Sequence, residues 1–311
     1  MTKFAFVFPG QGSQAHGMMN GYADFHVVRA TFAEASDTLH QDLWQLLAAG
    51  SDAELNATIN TQPIMLTAGV AVYRAWQSQN GPTPALLAGH SLGEYTALVA
   101  GGALKFVDAL PLVRYRAECM QQAVPEGVGG MAAILGLDDD SVRAVCIEAA
   151  QGEVLEAVNF NSPGQVVIAG NRAAVERGME VAKTKGAKRA LMLPMSVPSH
   201  CSLLRGAADK LREYLNTILL LAPAIPVLHN ADVKSYSDGA AIRDALVRQL
   251  YSPVRWVETV QYFGQQGLSH NVECAPGKVL AGLNKRIDSS QQALALNDSA
   301  ALRAALIALA E

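Results

Sequence analysis

Cysteine is scarce in this sequence: four residues in 311, Cys119, Cys146, Cys201 and Cys274, none of them in a C-x-x-C pair. That suggests neither a disulfide framework nor a zinc site, and suits a reducing, cytoplasmic compartment. Charge is sparse too. Only 17% of residues are Asp, Glu, Lys or Arg, the formal net charge is -4, and no Lys/Arg run occurs. The basic footprint that a phosphate backbone requires is therefore missing, and nucleic acid is not an expected partner. No stretch reaches the roughly 18 apolar residues of a membrane span, and the apolar run before Pro9-Gly10 is too short for a signal peptide, so no membrane association is expected. What is present is apolar bulk. Half the residues are hydrophobic, enough for a large core and too many for disorder. With little charge and no long helical seam, a monomer is the expected state.

Strand-like runs alternate with longer helical patterns, which predicts an α/β fold with a mainly parallel, hydrolase-like core. Residues 3–8 read as the first strand. Thr61-Gln62-Pro63 opens a buried helix that stops at Asn80-Gly81. Ala85 to Ala88, then Gly89-His90-Ser91-Leu92-Gly93, then Glu94 to Ala100 read as strand, sharp turn and helix. The texture changes at the glycine-rich loop 124–130. From there the pattern runs β-α-β-β-α-β to Pro194, which predicts a ferredoxin-like α+β domain over residues 125–196, inserted in a large domain of residues 1–124 and 197–311 with a cleft between them. Beyond it, 203–221 and 240–249 read as helices, 225–229 as a strand, and 271–273 as the last core strand.

Gly89-His90-Ser91-Leu92-Gly93 fits G-x-S-x-G. In such an elbow the serine sits on a strained turn with its hydroxyl exposed, the glycines let neighbouring backbone pass close, and the amino end of the next helix puts the Leu92 N–H where an oxyanion would form. An ordinary glycine-flanked turn could share the pattern; the strand before and helix after favour the nucleophile. The base must be a histidine brought near by the fold. His90 would point away from its neighbour and reads as turn-stabilising or cleft-lining. His16, His26, His40 and His270 lie in polar or helical surroundings, and His229 follows a strand as a core or cleft residue. His200 ends the irregular segment 194–200 at the seam of the two domains and is the best candidate, although position alone leaves the choice open. Cys201 beside it lacks a G-x-C-x-G turn and reads as a packed, inert thiol. In the loop Pro9-Gly10-Gln11-Gly12-Ser13-Gln14, the spacing of Gly10, Gly12 and Gly17 fails the G-x-G-x-x-G dinucleotide fingerprint. A close backbone approach to the nucleophile, with Gln11 giving a second oxyanion N–H, is the better use; a plain turn is the alternative.

Phe8-Pro9-Gly10-Gln11-Gly12-Ser13-Gln14, Gly89-His90-Ser91-Leu92-Gly93-Glu94-Tyr95, Asn159-Phe160-Asn161-Ser162-Pro163-Gly164-Gln165, Val197-Pro198-Ser199-His200 and Ala275-Pro276-Gly277-Lys278 follow one another in this order. Together they resemble, nearly end to end, the malonyl-CoA:acyl-carrier-protein transacylases of bacterial type II fatty-acid synthesis. The resemblance implies Ser91 as nucleophile, His200 as its base, backbone oxyanion donors at Gln11 and Leu92, and Arg116 as the grip on the free malonyl carboxylate. It also implies that the backbone carbonyl of Gln249, and no Asp, orients the base. Malonyl-CoA and a phosphopantetheine-bearing acyl carrier protein would be the partners, the transfer would be ping-pong through a malonyl ester on Ser91, and no metal or other cofactor would be needed. Arg114 lies two positions from Arg116 on one helical pattern and faces another way. The family often has Gly-Pro-Gly where this chain has Ala275-Pro276-Gly277, a change that touches no implied catalytic group. Three rivals remain: a transacylase serving polyketide synthesis or malonate decarboxylation, a serine hydrolase, and a silent binding module, against which the intact Ser91, His200 and Gln11 set stands. An unperturbed histidine titrates near about 6.5, so activity is expected to fall as pH drops through roughly 6 to 7.

Overall fold

Phe4-Ala5-Phe6-Val7-Phe8 buries every side chain, as a parallel strand covered on both faces does. The pleat sorts them. Phe4, Phe6 and Phe8 pack against Tyr73 and Trp76 on one face, while Ala5 and Val7 meet Trp256, Val260 and Leu280 on the other. The computed structural model describes residues 2–125, 127–195 and 197–310, so Glu126 of the glycine-rich loop and Ser196 at the seam, where the expected domain boundary falls, lie outside the described residues. Its strands are β1 (Phe4–Phe8), β2 (Leu86–Gly89), β3 (Gly129–Leu135), β4 (Leu155–Ser162), β5 (Gln165–Asn171), β6 (Arg189–Met192), β7 (Val227–Leu228), β8 (His270–Glu273) and β9 (Gln292–Ala295).

Five strands form an all-parallel sheet in the order β7-β2-β1-β8-β9. The other four form a separate antiparallel sheet, β4-β5-β3-β6, whose helices Asp139–Ala150 and Arg172–Thr184 complete the β-α-β-β-α-β order. This second sheet has its own apolar cluster around Ile134, Val142, Val145, Ile168 and Val175. It is stitched to the rest through β4: Phe160 N–H donates to the Val254 carbonyl at 3.0 Å, and Val254 N–H to the Val158 carbonyl at 2.8 Å. Among the described residues no helix is long and apolar enough to cross a membrane.

Several boundaries differ from the sequence expectation. The buried helix starts at Thr58, not Thr61, so Pro63 falls inside it and its missing N–H leaves one intrahelical bond unmade. The helix expected over 203–221 is Arg205–Leu215, because the backbone beyond it turns to another partner: Leu221 N–H donates to the Ala103 carbonyl and Ala224 N–H to that of Gly101. β9 was not expected, since Gln292-Ala293-Leu294-Ala295 carries no β-branched residue; it forms by pairing with β8 at the sheet edge.

The register of β1 on β2 prepares the site. Phe8 lies opposite Gly89, so both strands end at one level, and the loops that follow leave side by side at the carboxyl edge, where open α/β sheets bind ligands. The contact is backbone on backbone. A Cβ added at Gly10 would lie 2.5 Å from the His90 carbonyl oxygen, and one at Gly93 only 2.0 Å from that of Phe8. Gly93→Ala should therefore lower the denaturant midpoint and abolish activity together, because the sheet edge must open to admit the methyl. Gly206→Ala, at an exposed helical position whose added Cβ meets nothing within 4 Å, should hold stability or gain up to about 1 kcal/mol. Urea unfolding of both variants checks the pair, and a Gly93→Ala protein with the parent midpoint and activity would contradict the close approach.

Candidate active site

Ser91 has φ 52°, left-handed for a residue with a side chain, so something must hold the turn. Asn230 does so from two sides: its Oδ1 accepts from the Ser91 N–H at 2.7 Å and its Nδ2 donates to the Gly89 carbonyl at 2.6 Å. Gln249 adds a third hold, Nε2 to the Ser91 carbonyl at 3.0 Å. The helix Gly93–Ala100 starts immediately after, with Leu92 at its N-cap. Gln11 stands on the neighbouring loop among the residues that line the cleft, its Oε1 accepting from the Thr58 hydroxyl at 2.9 Å.

His200, also left-handed at φ 65°, brings Nε2 to 2.7 Å from Ser91 Oγ. Its Nδ1 lies 2.8 Å from the Gln249 carbonyl. A carbonyl only accepts, so Nδ1 carries the hydrogen and Nε2 keeps the lone pair that faces the hydroxyl. The imidazole is only 2% exposed. Burial, followed by the positive charge of Arg116, pushes its pKa down to about 3. A buried imidazole beside a guanidinium resists protonation, so the acid limb is expected below the pH 6 to 7 of an unperturbed histidine.

The other histidines are placed elsewhere. His90 Nε2 is 2.8 Å from Asn161 Oδ1 and its ring leans on Trp256, a bridge from the elbow to β4. His229 is buried with Nδ1 2.7 Å from Glu94. His16, His26 and His40 are exposed and His270 partly so. Cys201 is fully buried, and burial pushes its thiol up to about 12. Arg116, 1% exposed, donates to Gln62 Oε1 at 2.8 Å, Gln249 Oε1 at 3.0 Å and Ser91 Oγ at 3.3 Å. Arg114 turns away to the Leu39 carbonyl and Gln41. Ser91, His200 and Arg116 line a cleft of about 520 Å³, with Met131, Val167 and Leu193 on one wall and Val279, Leu280 and Leu283 on the other. Among the described residues no group of three or more His, Cys, Asp or Glu side chains is arranged to hold a metal ion.

The class is set by the family described as "Acyl transferase domain", which matches residues 5–300: the chain is an acyltransferase. The malonyl CoA-acyl carrier protein transacylase of Salmonella typhimurium is 58% identical over 307 residues, 98% of this chain and 99% of its own. That of Bacillus subtilis is 42% identical, covering 100% of this chain and 98% of its own. Among solved structures, an acyl-carrier-protein S-malonyltransferase from Burkholderia pseudomallei superposes with a TM-score of 0.97 at 62% identity, over 98% of this chain and 100% of that one. A malonyl-transacylase solved in complex with its type II PKS acyl-carrier protein gives 0.98 at 53%, over 99% and 100%. The chain belongs to the malonyl CoA-acyl carrier protein transacylase family.

Of the residues named by the motifs and by the family resemblance, Gln11, Ser91, Leu92, Arg116 and His200 line one cleft and Gln249 bonds His200 and Arg116 from behind it, but what braces them was missed. Asn230, Glu94 and Gln62 escaped because nothing local marks them; only the burial of a Glu in the helix that follows the elbow, visible in the apolar run Tyr95 to Ala100, was a signal. The low pKa of His200 has a direct readout. Inactivation of Ser91 by a serine-directed organophosphorus probe should stay flat as pH falls from about 8 to about 5, because the imidazole beside its hydroxyl stays neutral. A half-maximal rate between pH 6 and 7 would mean that water reaches the imidazole.

Proposed function

We propose that this chain moves malonyl from malonyl-CoA to the phosphopantetheine thiol of an acyl carrier protein through an ester on Ser91, supplying fatty-acid elongation. One observation carries the reading: His200 Nε2 at 2.7 Å and Arg116 Nη2 at 3.3 Å converge on the same Ser91 Oγ. Malonyl holds its free carboxylate one methylene from its thioester carbonyl, so a receptor for that carboxylate must lie beside the serine that is acylated. Names of relatives at 42% to 62% identity and the carrier-bound neighbour support the same substrates.

The proposed cycle runs in two halves. Ser91 Oγ gives its proton to His200 Nε2 as it attacks the thioester carbonyl, and the N–H groups of Gln11 and Leu92 hold the oxyanion. Collapse breaks the C–S bond, and the imidazolium returns the proton to the departing coenzyme A sulfur. The carrier thiol then gives its proton to His200, attacks the ester carbonyl, and leaves with malonyl while Ser91 recovers the proton. Arg116 takes the malonyl carboxylate in two parallel hydrogen bonds. That neutralises the cation which depresses His200, so substrate itself makes the base stronger. The Gln249 carbonyl keeps the imidazole in its tautomer throughout.

In this reading residues 1–124 and 197–311 form a hydrolase-like acyltransferase domain and 125–196 a ferredoxin-like one that supplies a wall of the cleft. The exposed Lys188, Arg189 and Lys278 would meet an acidic carrier, whereas Lys185 is engaged by Glu148 at 2.9 Å. The protein would act in the cytoplasm as a monomer.

Acid-quenched protein incubated with malonyl-CoA should carry malonyl on the Ser91 peptide, and His200→Ala should slow transfer by about 100-fold or more. Label on Cys201, or release of malonate to water in place of transfer to purified carrier, would overturn the proposal. Arg116→Ala should lower kcat/KM for malonyl-CoA by about 30-fold or more while acetyl-CoA holds or improves, and Arg114→Ala should leave the malonyl-to-acetyl ratio alone. The ratio in each variant decides whether the carboxylate receptor has been assigned to the right arginine.

A further inference from the structure

Arg116 and Glu94 are both buried, at 1% and 0% exposure, yet they do not pair. All of the guanidinium's recorded acceptors are neutral oxygens, those of Gln62, Gln249 and Ser91. Glu94 instead receives the His229 ring at 2.7 Å, the Asn230 N–H at 2.9 Å and the Gln249 amide at 2.9 Å. Gln249 stands between the two charges. Its Oε1 faces the arginine at 3.0 Å and its Nε2 faces the carboxylate at 2.9 Å, the orientation that opposite charges on either side demand of an amide.

We infer that the Gln249 side chain is a specificity-determining spacer: it keeps Glu94 from quenching Arg116, so that the guanidinium stays open to a substrate carboxylate. This role is separate from that of the Gln249 backbone, whose carbonyl bonds His200, and it rests on Arg116 being the malonyl receptor. A buried arginine that already held a carboxylate would have to exchange one anion for another. A buried arginine solvated by amide oxygens has been taken out of water without being neutralised, and binding then gains most of the charge–charge attraction. Glu94 keeps the burial tolerable from one amide's distance, where its field is weaker than in contact. Arg116 Nε has no partner among the described residues, so the guanidinium retains a donor beyond the amides.

Gln249→Met keeps length and volume but removes both amide ends. Arg116 then loses an acceptor and Glu94 a donor, so each is left more exposed to the other's charge and malonyl must compete with an internal carboxylate. The malonyl-to-acetyl ratio of kcat/KM should fall by about 10-fold or more, with the loss carried by KM for malonyl-CoA. Adding Glu94→Gln in that background should restore most of the ratio, because the competing anion is gone; general damage to packing would make the double variant worse than either single one. A ratio unchanged in Gln249→Met, or one that stays collapsed in the double variant, sinks the spacer. If Gln249→Met does not fold, Glu94→Gln alone decides: the inference requires KM for malonyl-CoA to fall below the parent value, and an unchanged or raised KM overturns it. Arg116→Ala is the control that separates the two levels. Should it leave the ratio intact, the receptor reading itself fails; should it collapse the ratio while Gln249→Met does not, only the spacer fails.

Discussion

Everything at this site depends on two loops touching backbone to backbone at the end of β1 and β2. The register Phe8 opposite Gly89 sets the level at which both strands stop, and glycines at 10 and 93 allow an approach that no side chain would permit. From that contact follow the left-handed serine, the helix that starts behind it, and the loop that brings Gln11 alongside. The strain of the turn is offset by three hydrogen bonds from two side chains, Asn230 and Gln249, and Glu94 anchors both residues, Asn230 by its backbone N–H and Gln249 by its amide. A rigid floor and a strained serine turn are thus one construction, and changes at either glycine act on both.

Burial does a second job. With so little charge in the sequence, the few ionisable groups placed inside are held by amides and backbone more than by opposite charges: Arg116 by Gln62 and Gln249, His200 by a carbonyl. Neutral partners fix geometry while leaving charge uncancelled. The imidazole stays unprotonated and the guanidinium stays hungry for an anion, two properties that a pair of direct salt bridges would have erased.

The fold was legible where local chemistry and burial agree. A five-residue apolar strand ending at Pro9-Gly10, a serine elbow between strand and helix, and the β-α-β-β-α-β order all announce themselves, and the motifs in order pointed to the family. Elements whose formation depends on partners did not. β9 has weak strand chemistry and exists because β8 offers an edge; the chain after Leu215 leaves its helix because Gly101 and Ala103 offer carbonyls. At the site, Ser91 stood out by its elbow, His200, Arg116 and Gln249 were singled out through the family motifs, and the bracing was not readable. Asn230 and Glu94 lie in unremarkable sequence, and their role appears only when residues far apart in the chain meet. The low pKa of His200 escaped for the same reason, since burial and the nearness of Arg116 are properties of the closed structure.

That distance along the chain has a consequence for how the protein is made. The groups that bond Ser91 come from positions 25, 109, 139 and 158 residues away, at Arg116, His200, Asn230 and Gln249. Synthesis proceeds from the N-terminus, and elements of this kind assemble as the chain emerges. Ser91 is therefore translated long before His200, and the Gln249 carbonyl that bonds His200 arrives later still. A nascent chain stopped short of Gln249 lacks the third hold on the Ser91 turn, the carbonyl that fixes the His200 ring and one of the two amides around Arg116. The arrangement is complete only late in translation, when this last brace closes.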